Sequence, residues 1–379
     1  MTKQLNPLAN SGQKIVIAVT ALNAVDSPGP GVAVIRAIRE CPDFEVRIIG
    51  LSYESLEPGL YMHDIVDKTY SIPYPSAGTD ALLGRLIYIH NLEKIDLIIP
   101  NFDAELFNFI KLRDRLMNIG IRTFLPNLDQ FEARDKIKLY EFGKKHGLTV
   151  PRDKIIYQVR DLAEIAEQVG YPMVVKGKFY DAVVANTLEQ AQRAFYEIQA
   201  KWGLPIIVQE FITGTEINIA ALGDGEGNAI SVIPMRKLYI TDKGKAWAGI
   251  TLDDSTYIDL ARKFVEVTKW RGGCELEVMQ TIDGKSYIME VNPRFPAWIY
   301  LTAAAGQNQP ATLVKMAFGQ RVLPFKTYEV GKIFIRYSWD LITDISEFQQ
   351  ISGTGELDGG KKSEVRNSGC GKIQFDNMN

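Results

Sequence analysis

The first third of the chain alternates short apolar runs with segments of helical periodicity, and this alternation limits the possible folds most strongly. The run IVIAVTA at residues 15–21 is continuous and apolar, as is typical of strands buried on both faces of a parallel sheet. Similar runs follow, with helical segments between them. The runs lie at 46–51, 96–100 and 121–126, and the helical segments at 32–40, 82–93 and 103–118. The pattern predicts a parallel, doubly wound sheet over residues 15–125.

In a sheet of this kind, ligands bind at the carboxyl ends of the strands. The Gly- and Pro-rich loop at 22–31 and the loop at 100–105 are therefore expected to lie near each other. Residues 23–31 precede a helix whose amides could receive an anion, with a plain turn as the alternative. Their spacing does not match GxGxxG, so no nicotinamide site is predicted. Asp103 and Glu105 could bind a cationic amine, or could cap the helix that they begin.

From about residue 127 the pattern changes to an α+β texture with a substantial antiparallel sheet. A helix is predicted over Asn127–His146, and two further helices over 160–169 and 187–201. Strands are predicted at 155–159, 173–179 and 205–212, and two hairpins within 215–300. The last 28 residues hold six glycines and predict a loosely ordered tail. These features predict two further units of the chain, at 126–205 and 206–350, and a tail at 351–379.

Composition narrows the functional classes. The 379 residues include 43 Lys plus Arg and 46 Asp plus Glu, a net charge of −3, which disfavours a protein that coats nucleic acid. The three cysteines, Cys41, Cys274 and Cys370, form no CxxC pair and suggest a reducing compartment. The polar N-terminus is not a signal peptide, and no apolar run approaches the roughly 20 residues of a membrane helix. The expected location is the cytoplasm.

The second hairpin, CELEVMQTIDGKSYIMEVNPR at 274–294, carries the most chemical information. Side chains two apart in a strand share a face, so Glu277 and Glu290 can come side by side, with Asn292 on the same face as Glu290. Two carboxylates and an amide oxygen repel one another unless a cation lies between them, and hard oxygen ligands suit Mg²⁺ or Mn²⁺. Arg294 could hold an anionic group near that metal. A solvated hairpin is the alternative.

This hairpin resembles the metal-binding hairpin of ATP-grasp enzymes, especially the branch of carbamoyl-phosphate synthetase large chains and biotin carboxylases. Four other segments follow the order of that family. They are DLIIPNFDAEL at 96–106, ARDKIKLYEFGKKHGLTVPR at 133–152, YPMVVKGKF at 171–179 and IIVQEFITGTEINI at 206–219. The resemblance covers about residues 14–320. It implies a Rossmann-like pre-ATP-grasp domain at 1–125, followed by an ATP-grasp fold of two subdomains with antiparallel sheets, the first of them on the lid side.

Carried over position by position, the resemblance implies an ATP and Mg²⁺ site. Lys136 and Lys176 would lie over the phosphates, although each alone could be a surface lysine. Glu277, Glu290 and Asn292 would hold Mg²⁺ (or Mn²⁺), and the catalytic pair would be Arg294, at the γ-phosphate or acyl phosphate, and Lys176. The remaining nucleotide contacts would be Glu210 and the backbone of Ile212 at adenine, Glu216 at the ribose, and apolar neighbours of the purine such as Phe211 and Met279.

The segment at 177–186, GKFYDAVVAN, departs from the family pattern. The family carries a glycine-rich flap over the phosphates, whereas this segment has one glycine, so Lys178 is predicted to supply charge that backbone amides would otherwise give. Trp298 and Tyr300 could line the substrate pocket or belong to the core. Arg236 could reach the active site or lie on the surface.

The resemblance implies an ATP-dependent ligase of the carboxylate–amine type. Such an enzyme converts a carboxylate into an acyl phosphate with release of ADP, and an amine or other nucleophile then displaces phosphate. The expected partners are small-molecule substrates, with a peptide as a further option, no nucleic acid and no membrane, and a homodimer is the family-level expectation. A bicarbonate-using carboxylase or carbamoyl-phosphate-type enzyme, and a regulatory ATP-binding subunit without turnover, remain as alternatives.

Overall fold

The computed structural model describes residues 14–23, 28–178, 181–241 and 244–359. Four sequence predictions therefore fall wholly or partly outside the described residues. They concern the N-terminal segment 1–13, positions 24–27 of the first loop, Phe179 and Tyr180 of the predicted flap, and the tail 360–379 with Cys370. None of the helices in the described ranges is long and apolar enough to cross a membrane.

The predicted parallel sheet is present and is confirmed as the first layer of the fold. Its five parallel strands follow the spatial order β3-β2-β1-β4-β5. The strands are β1 (Ile15–Val19), β2 (Val46–Ser52), β3 (Lys68–Ser71), β4 (Leu97–Ile99) and β5 (Arg122–Thr123), and the helices are α1 (Gly31–Arg39), α2 (Gly78–Glu93) and α3 (Asp103–Asn118). Strand β3 was missed in the sequence because its four residues, KTYS, carry no apolar run. The predicted strand at 121–126 reduces to two residues.

The two faces of β1 bury different side chains, as expected of a central parallel strand. Ile15, Ile17 and Val19 pack toward α1. Val16 and Ala18 pack toward α2 and α3 on the opposite face. Both faces are thus covered by apolar elements, which is why this strand reads as a continuous apolar run.

The single helix predicted over Asn127–His146 is two helices, which corrects the prediction. They are α4 (Leu128–Ala133) and α5 (Leu139–His146). Between them the Asp135 carboxylate accepts a hydrogen bond from the backbone N–H of Ile137 at 3.1 Å. This local bond competes with the helical pattern and interrupts it. The interruption places Arg134 and Lys136 in a turn, where Lys136 lies near Glu290 of the predicted second hairpin.

A four-stranded antiparallel sheet, which we call the small sheet, follows with the order β6-β9-β7-β8. It consists of β6 (Asp153–Ile156), β7 (Met173–Gly177), β8 (Ala182–Ala185) and β9 (Ile206–Glu210), covered by α6 (Asp161–Val169) and α7 (Leu188–Trp202). Because β9 pairs with both β6 and β7, the predicted division between residues 205 and 206 would cut this sheet. The division of the chain into domains stays a prediction.

A third sheet, which we call the large antiparallel sheet, has six strands in the order β14-β13-β10-β11-β12-β15. The strands are β10 (Thr215–Asp224), β11 (Ala229–Ile240), β12 (Ala246–Thr251), β13 (Arg271–Gln280), β14 (Ser286–Asn292) and β15 (Ile333–Ile335), with helices α8 (Ser255–Thr268), α9 (Tyr300–Ala304) and α10 (Gln309–Ala317). Ala220, Leu222 and Ile233 of this sheet share one hydrophobic cluster with β1 and α1. This continuous core joins the large antiparallel sheet to the parallel layer.

Part of the predicted tail is ordered, which corrects the prediction of a loose segment from 351 onward. Helix α11 (Ile345–Thr354) and strand β16 (Glu356–Asp358) precede the undescribed residues. Strand β16 pairs antiparallel with β3, and Leu357 is buried against the core. Two buried side chains, Ile351 and Leu357, therefore hold this segment to the parallel sheet, and the glycines around them obscured that signal.

Candidate functional site

A cavity of about 710 Å³ lies between the parallel sheet and the large antiparallel sheet. Such a volume is in the usual range of small-molecule sites. The parallel-sheet side contributes residues that follow β1, β2 and β4, namely Asn23, Pro28, Gly29, Pro30, Tyr53, Glu54, Asn101, Phe102 and Asp103. The predicted meeting of the loops at 22–31 and 100–105 is thus confirmed for their described residues. The cavity occupies the edge where α/β sheets bind ligands.

The opposite wall of the cavity is built by the hairpin β13–β14 and its neighbours β10 and β11. The register of the hairpin places Glu277 opposite Glu290 and Glu275 opposite Asn292. The Nδ2 atom of Asn292 donates to Glu277 at 3.0 Å and to Glu275 at 3.1 Å. The predicted juxtaposition of Glu277, Glu290 and Asn292 is therefore present, although their role as metal ligands remains a proposal.

Glu275 has a different environment from Glu277. Its Oε1 atom accepts from Asn218 at 2.9 Å and from the indole N–H of Trp298 at 2.8 Å. These donors hold Glu275 in place as a support for the hairpin. Burial, followed by the negative charges of Glu275 and Glu290, raises the pKa of Glu277. A cation beside Glu277 would offset that repulsion.

The residues of this wall fit a hard divalent cation. Asn218 lies opposite Glu277 in the β10–β13 register and is 2% exposed. No donor from the described part of the chain reaches its buried Oδ1 atom. No group of three or more His, Cys, Asp and Glu side chains within the described ranges is arranged as a metal centre. The set at the hairpin has two facing carboxylates and amide oxygens, a composition suited to Mg²⁺, which keeps part of its coordination sphere for substrate phosphates.

Four cationic side chains surround Glu290 and the cavity edge. The Nζ atom of Lys136 lies 3.2 Å from Glu290, and Lys176 donates to Gln209 at 2.7 Å. Burial, followed by the charge of Lys136, lowers the pKa of Lys176. Arg294 donates from Nε to Asp103 at 2.7 Å. The fourth is Arg134, whose partly buried guanidinium lies near Asp103 and Glu290.

The predicted adenine and ribose contacts lie on strands β9, β10 and β13 and on the segment that connects β9 to β10. Both carboxylate oxygens of Glu210 accept from Arg152, each at 2.8 Å, so the predicted adenine contact of Glu210 would compete with this pair. Phe211 is 39% exposed, and Ile212 follows it in a connecting segment. Met279 lies opposite Glu216 across β10–β13. Lys178 directly follows β7, beside the undescribed flap residues.

Glu216 also forms an ion pair with Lys237, which the sequence reasoning missed. Lys237 lines the cavity, whereas Arg236, its neighbour in the strand, is exposed and does not. Adjacent strand residues point to opposite faces, so the surface alternative for Arg236 is correct. Arg134, Asn218 and Lys237 were missed because each comes from a different part of the chain. A cation next to Arg236 was the only sequence signal for Lys237.

Four residues were predicted to bind an amine or to line the substrate pocket: Asp103, Glu105, Trp298 and Tyr300. Two of them lie outside the cavity, and two line it. Glu105 is fully buried, where it accepts from the backbone N–H groups of Asn101 and Phe102 at 2.9 Å, and so caps helix α3. Tyr300 packs under the Arg36 guanidinium, 4.1 Å from its ring centroid. Asp103 and Trp298 do line the cavity. The capping alternative is therefore correct for Glu105, and the pocket role of Tyr300 is wrong.

Comparison with known proteins agrees with this geometry. Residues 133–297 match the family model described as the ATP-grasp domain. The chain is 22% identical over 258 residues to the carbamoyl phosphate synthase large chain of Agathobacter rectalis, covering 61% of this chain and 22% of that one. It is 28% identical over 176 residues to the D-alanine–D-alanine ligase of Cupriavidus metallidurans, covering 42% and 54%. The chain thus spans about a fifth and about half of these relatives.

Solved structures show the same fold. A biotin carboxylase from Campylobacter jejuni, in complex with βγ-ATP, superposes with a TM-score of 0.67 at 16% identity, over 85% of this chain and 74% of that chain. The biotin carboxylase domain dimer of Hydrogenobacter thermophilus 2-oxoglutarate carboxylase, with MgADP, ADP and bicarbonate, gives a TM-score of 0.66 at 18% identity, with the same coverages. Residues 133–297 therefore match the ATP-grasp family model, and the chain shares the fold of these biotin carboxylases.

Proposed function

We propose that this chain is an ATP-dependent ligase that activates a carboxylate as an acyl phosphate and joins it to an amine or other nucleophile. The observation that carries the proposal is that Glu277, Asn292 and Arg294 line one substrate-sized cavity, with Glu290 facing Glu277 across the hairpin. A binding protein without turnover has no need to place a cation site and an arginine at one cavity wall. The similarity to ligases and carboxylases supports an enzyme.

The residues have distinct roles in this proposal. Glu277, Glu290 and Asn292 would hold Mg²⁺, which neutralises phosphate charge when it is bound. Lys136 and Lys176 would bind phosphate oxygens, since the Lys136 ammonium group lies 3.2 Å from Glu290 and Lys176 is close enough to feel the charges of both. Adenine would lie beside Phe211, Ile212 and Met279, with Glu210 at its amino group, Glu216 at the ribose and Lys178 near the flap.

The chemistry then balances in two steps. A substrate carboxylate oxygen attacks the γ-phosphorus, the bond to the bridging oxygen breaks, and ADP leaves. Arg294 lines the cavity beside the carboxylate hairpin and can stabilise charge on the transferred group or the resulting acyl phosphate. An amine nitrogen then attacks the acyl carbon, phosphate leaves, and the nitrogen loses a proton to solvent.

In this proposal the cavity of about 710 Å³ holds the ribose and phosphates, beside Glu216, Glu277 and Asn292, together with the acceptor substrates. The carboxylase alternative follows from the biotin carboxylase fold and would use the same first step with bicarbonate. The H. thermophilus neighbour is described as a dimer, and analytical ultracentrifugation would test the homodimer expected for this chain.

The proposal is tested by nucleotide release from Mg-ATP over a matrix of carboxylates and amines, with ADP and AMP measured separately. We expect ADP to appear only with a particular carboxylate and Glu290→Gln to abolish its release while ATP still binds. Glu266→Gln, at an exposed position on α8, serves as the matched control and should behave as wild type. Release of AMP, or no turnover with any pair while ATP binds, would contradict the proposal. Turnover with bicarbonate alone would instead select the carboxylase.

A further inference from the structure

The parallel-sheet side of the cavity carries a group of aromatic rings that the proposed chemistry does not use. We call Tyr53, Tyr74 and Phe102 the aromatic wall. The Tyr53 ring lies between the others, with centroids 5.7 Å from Tyr74 and 5.8 Å from Phe102. All three line the cavity, and Tyr74 and Phe102 remain 51% and 39% exposed. Aromatic faces left open to a cavity attract organic groups and, through their quadrupole, cations.

Beside the aromatic wall lies a buried acceptor without a donor. Asn101 lines the cavity and is 1% exposed. Its Nδ2 atom donates to the Ile99 carbonyl at 2.8 Å, which fixes the amide so that Oδ1 is the atom left over. That Oδ1 atom is buried and has no hydrogen-bond partner among the described residues. A buried acceptor of this kind is costly unless a ligand brings an N–H or O–H group to it.

The charges of this wall specify the ligand further. Glu54 lines the cavity at the wall and accepts from the Tyr74 hydroxyl. The neighbouring Glu57 has its oxygens taken by the backbone N–H groups of Leu22, Tyr53 and Glu54, so it shapes the loop. The described basic residues that line the cavity all come from the antiparallel-sheet side: Lys237, Lys245, Arg294 and Arg336. The wall on the parallel-sheet side is therefore acidic and aromatic.

We propose that the aromatic wall, with Asn101 and Glu54, binds an ammonium group of the substrate that carries at least one N–H. The rings and the Glu54 carboxylate attract the positive charge, and the N–H donates to Asn101 Oδ1. This inference deepens the proposed function, on which it rests, because it gives one substrate a cationic amine. Asp103, adjacent to Phe102, bonds Arg294, so the bound amine lies next to the reaction centre. A quaternary ammonium ion lacks the required N–H and should bind less well.

The probe is n-butylammonium, compared with tetramethylammonium and 1-butanol, on the full chain without nucleotide, by ligand-observed NMR titration. We expect n-butylammonium to bind more tightly than both comparison compounds. Glu54→Gln, which keeps the bond to Tyr74 and removes the charge, should weaken binding about three- to tenfold, as should Tyr74→Ala. Asn101→Leu should remove the preference over tetramethylammonium. Tyr196→Ala, on an exposed face of α7, is the control and should bind as wild type.

The inference fails if n-butylammonium does not bind, if 1-butanol binds equally well, or if Glu54→Gln and Tyr74→Ala leave its affinity unchanged. Both of these residues are exposed, so the test does not depend on whether the buried Asn101→Leu variant folds. The result is separable from the proposed function because no ATP is present. Glu290→Gln should still bind n-butylammonium while it forms no ADP. Amine binding without ADP formation in the wild type would support this site and contradict the ligase.

Discussion

Arg294 and Asp103 join the two walls of the cavity through a 2.7 Å hydrogen bond between Nε and Oδ2. Arg294 follows strand β14 of the antiparallel sheet, and Asp103 begins helix α3 of the parallel layer. The predicted catalytic arginine is thus oriented by the parallel layer, which also carries the proposed amine site. Asp103 positions Arg294, and it is placed to couple occupation of one wall to the geometry of the other.

Asp103→Asn should lower the kcat for ADP release and should reduce the free energy of unfolding only modestly. The amide keeps the shape of the side chain but removes the charge that holds a largely buried guanidinium. We expect a loss of about 1–2 kcal/mol in the free energy of unfolding, measured by urea titration. Asp80→Asn is the matched control, because Asp80 pairs with Arg115 at 2.9 Å on the surface, and such pairs contribute less than about 1 kcal/mol. Unchanged kcat in Asp103→Asn would show that Arg294 needs no such positioning.

Lys176→Met should weaken ATP binding about tenfold or more, because it removes a partly buried ammonium group that is proposed to bind the phosphates. Isothermal titration with Mg-ATP measures the change. Lys154→Met, an exposed position on the neighbouring strand β6, keeps the same substitution away from the cleft and should bind as wild type. Equal affinities for the two variants would remove Lys176 from the phosphate site.

Glu105→Gln should flatten the pH dependence of stability. Burial raises the pKa of Glu105 from 4.5 to about 7, against the hydrogen bonds from Thr20, Tyr53 and two backbone N–H groups. The folded state therefore holds a proton that the unfolded state releases. This contribution is full below about pH 4.5 and is lost as the pH rises toward about 7. Between pH 5 and 8 the wild type should lose about 1–3 kcal/mol more than the variant.

Urea midpoints at pH 5, 6, 7 and 8 measure this difference. Glu45→Gln, at an exposed position, is the control and should follow the wild-type curve. Parallel curves for wild type and Glu105→Gln would show that Glu105 is already ionised at pH 5 in the folded protein.

Two glycine-to-alanine substitutions should have opposite effects on stability. A Cβ at Gly31 would lie 2.1 Å from the Thr20 carbonyl oxygen, so Gly31→Ala should force helix α1 away from β1, at a cost of about 2–3 kcal/mol. Gly84 lies in an exposed turn of α2, and a Cβ there would have no atom of the described residues within 4 Å, so Gly84→Ala should stabilise by about 0.5–1 kcal/mol. Thermal unfolding of both variants checks the pair. Similar midpoints would contradict the close approach of α1 to β1.

The parts of the fold that depend on local pattern could be predicted from the sequence. The β1 run predicted a buried parallel strand, and the Asp283–Gly284 turn with strand alternation predicted the pairing of Glu277 with Glu290. These relationships depend on neighbours in the chain and on the period of a strand. The break between α4 and α5 was missed because it depends on one hydrogen bond, which the backbone N–H of Ile137 donates to the Asp135 carboxylate.

The parts of the site that depend on distant contacts could not be predicted. Asp103 and Arg294 are 191 residues apart in the sequence, and the sequence offered Asp103 only as an amine ligand or a helix cap. Asn218 and Glu277 become neighbours only through the β10–β13 register. Leu357 is buried only because β16 adds to the edge of the parallel sheet, and nothing in its glycine-rich surroundings indicates that partner.

The most direct test of acyl phosphate chemistry is the fate of a carboxylate oxygen. Once the matrix has identified the carboxylate, it is labelled with ¹⁸O, and the enzyme turns over with Mg-ATP and the amine. We predict one ¹⁸O atom in the inorganic phosphate released and none in the nucleotide, because the carboxylate oxygen bonds to the γ-phosphorus and leaves with it. Label in AMP would show attack at the α-phosphorus, and unlabelled phosphate would show simple ATP hydrolysis. Either result would contradict the proposed ligase mechanism.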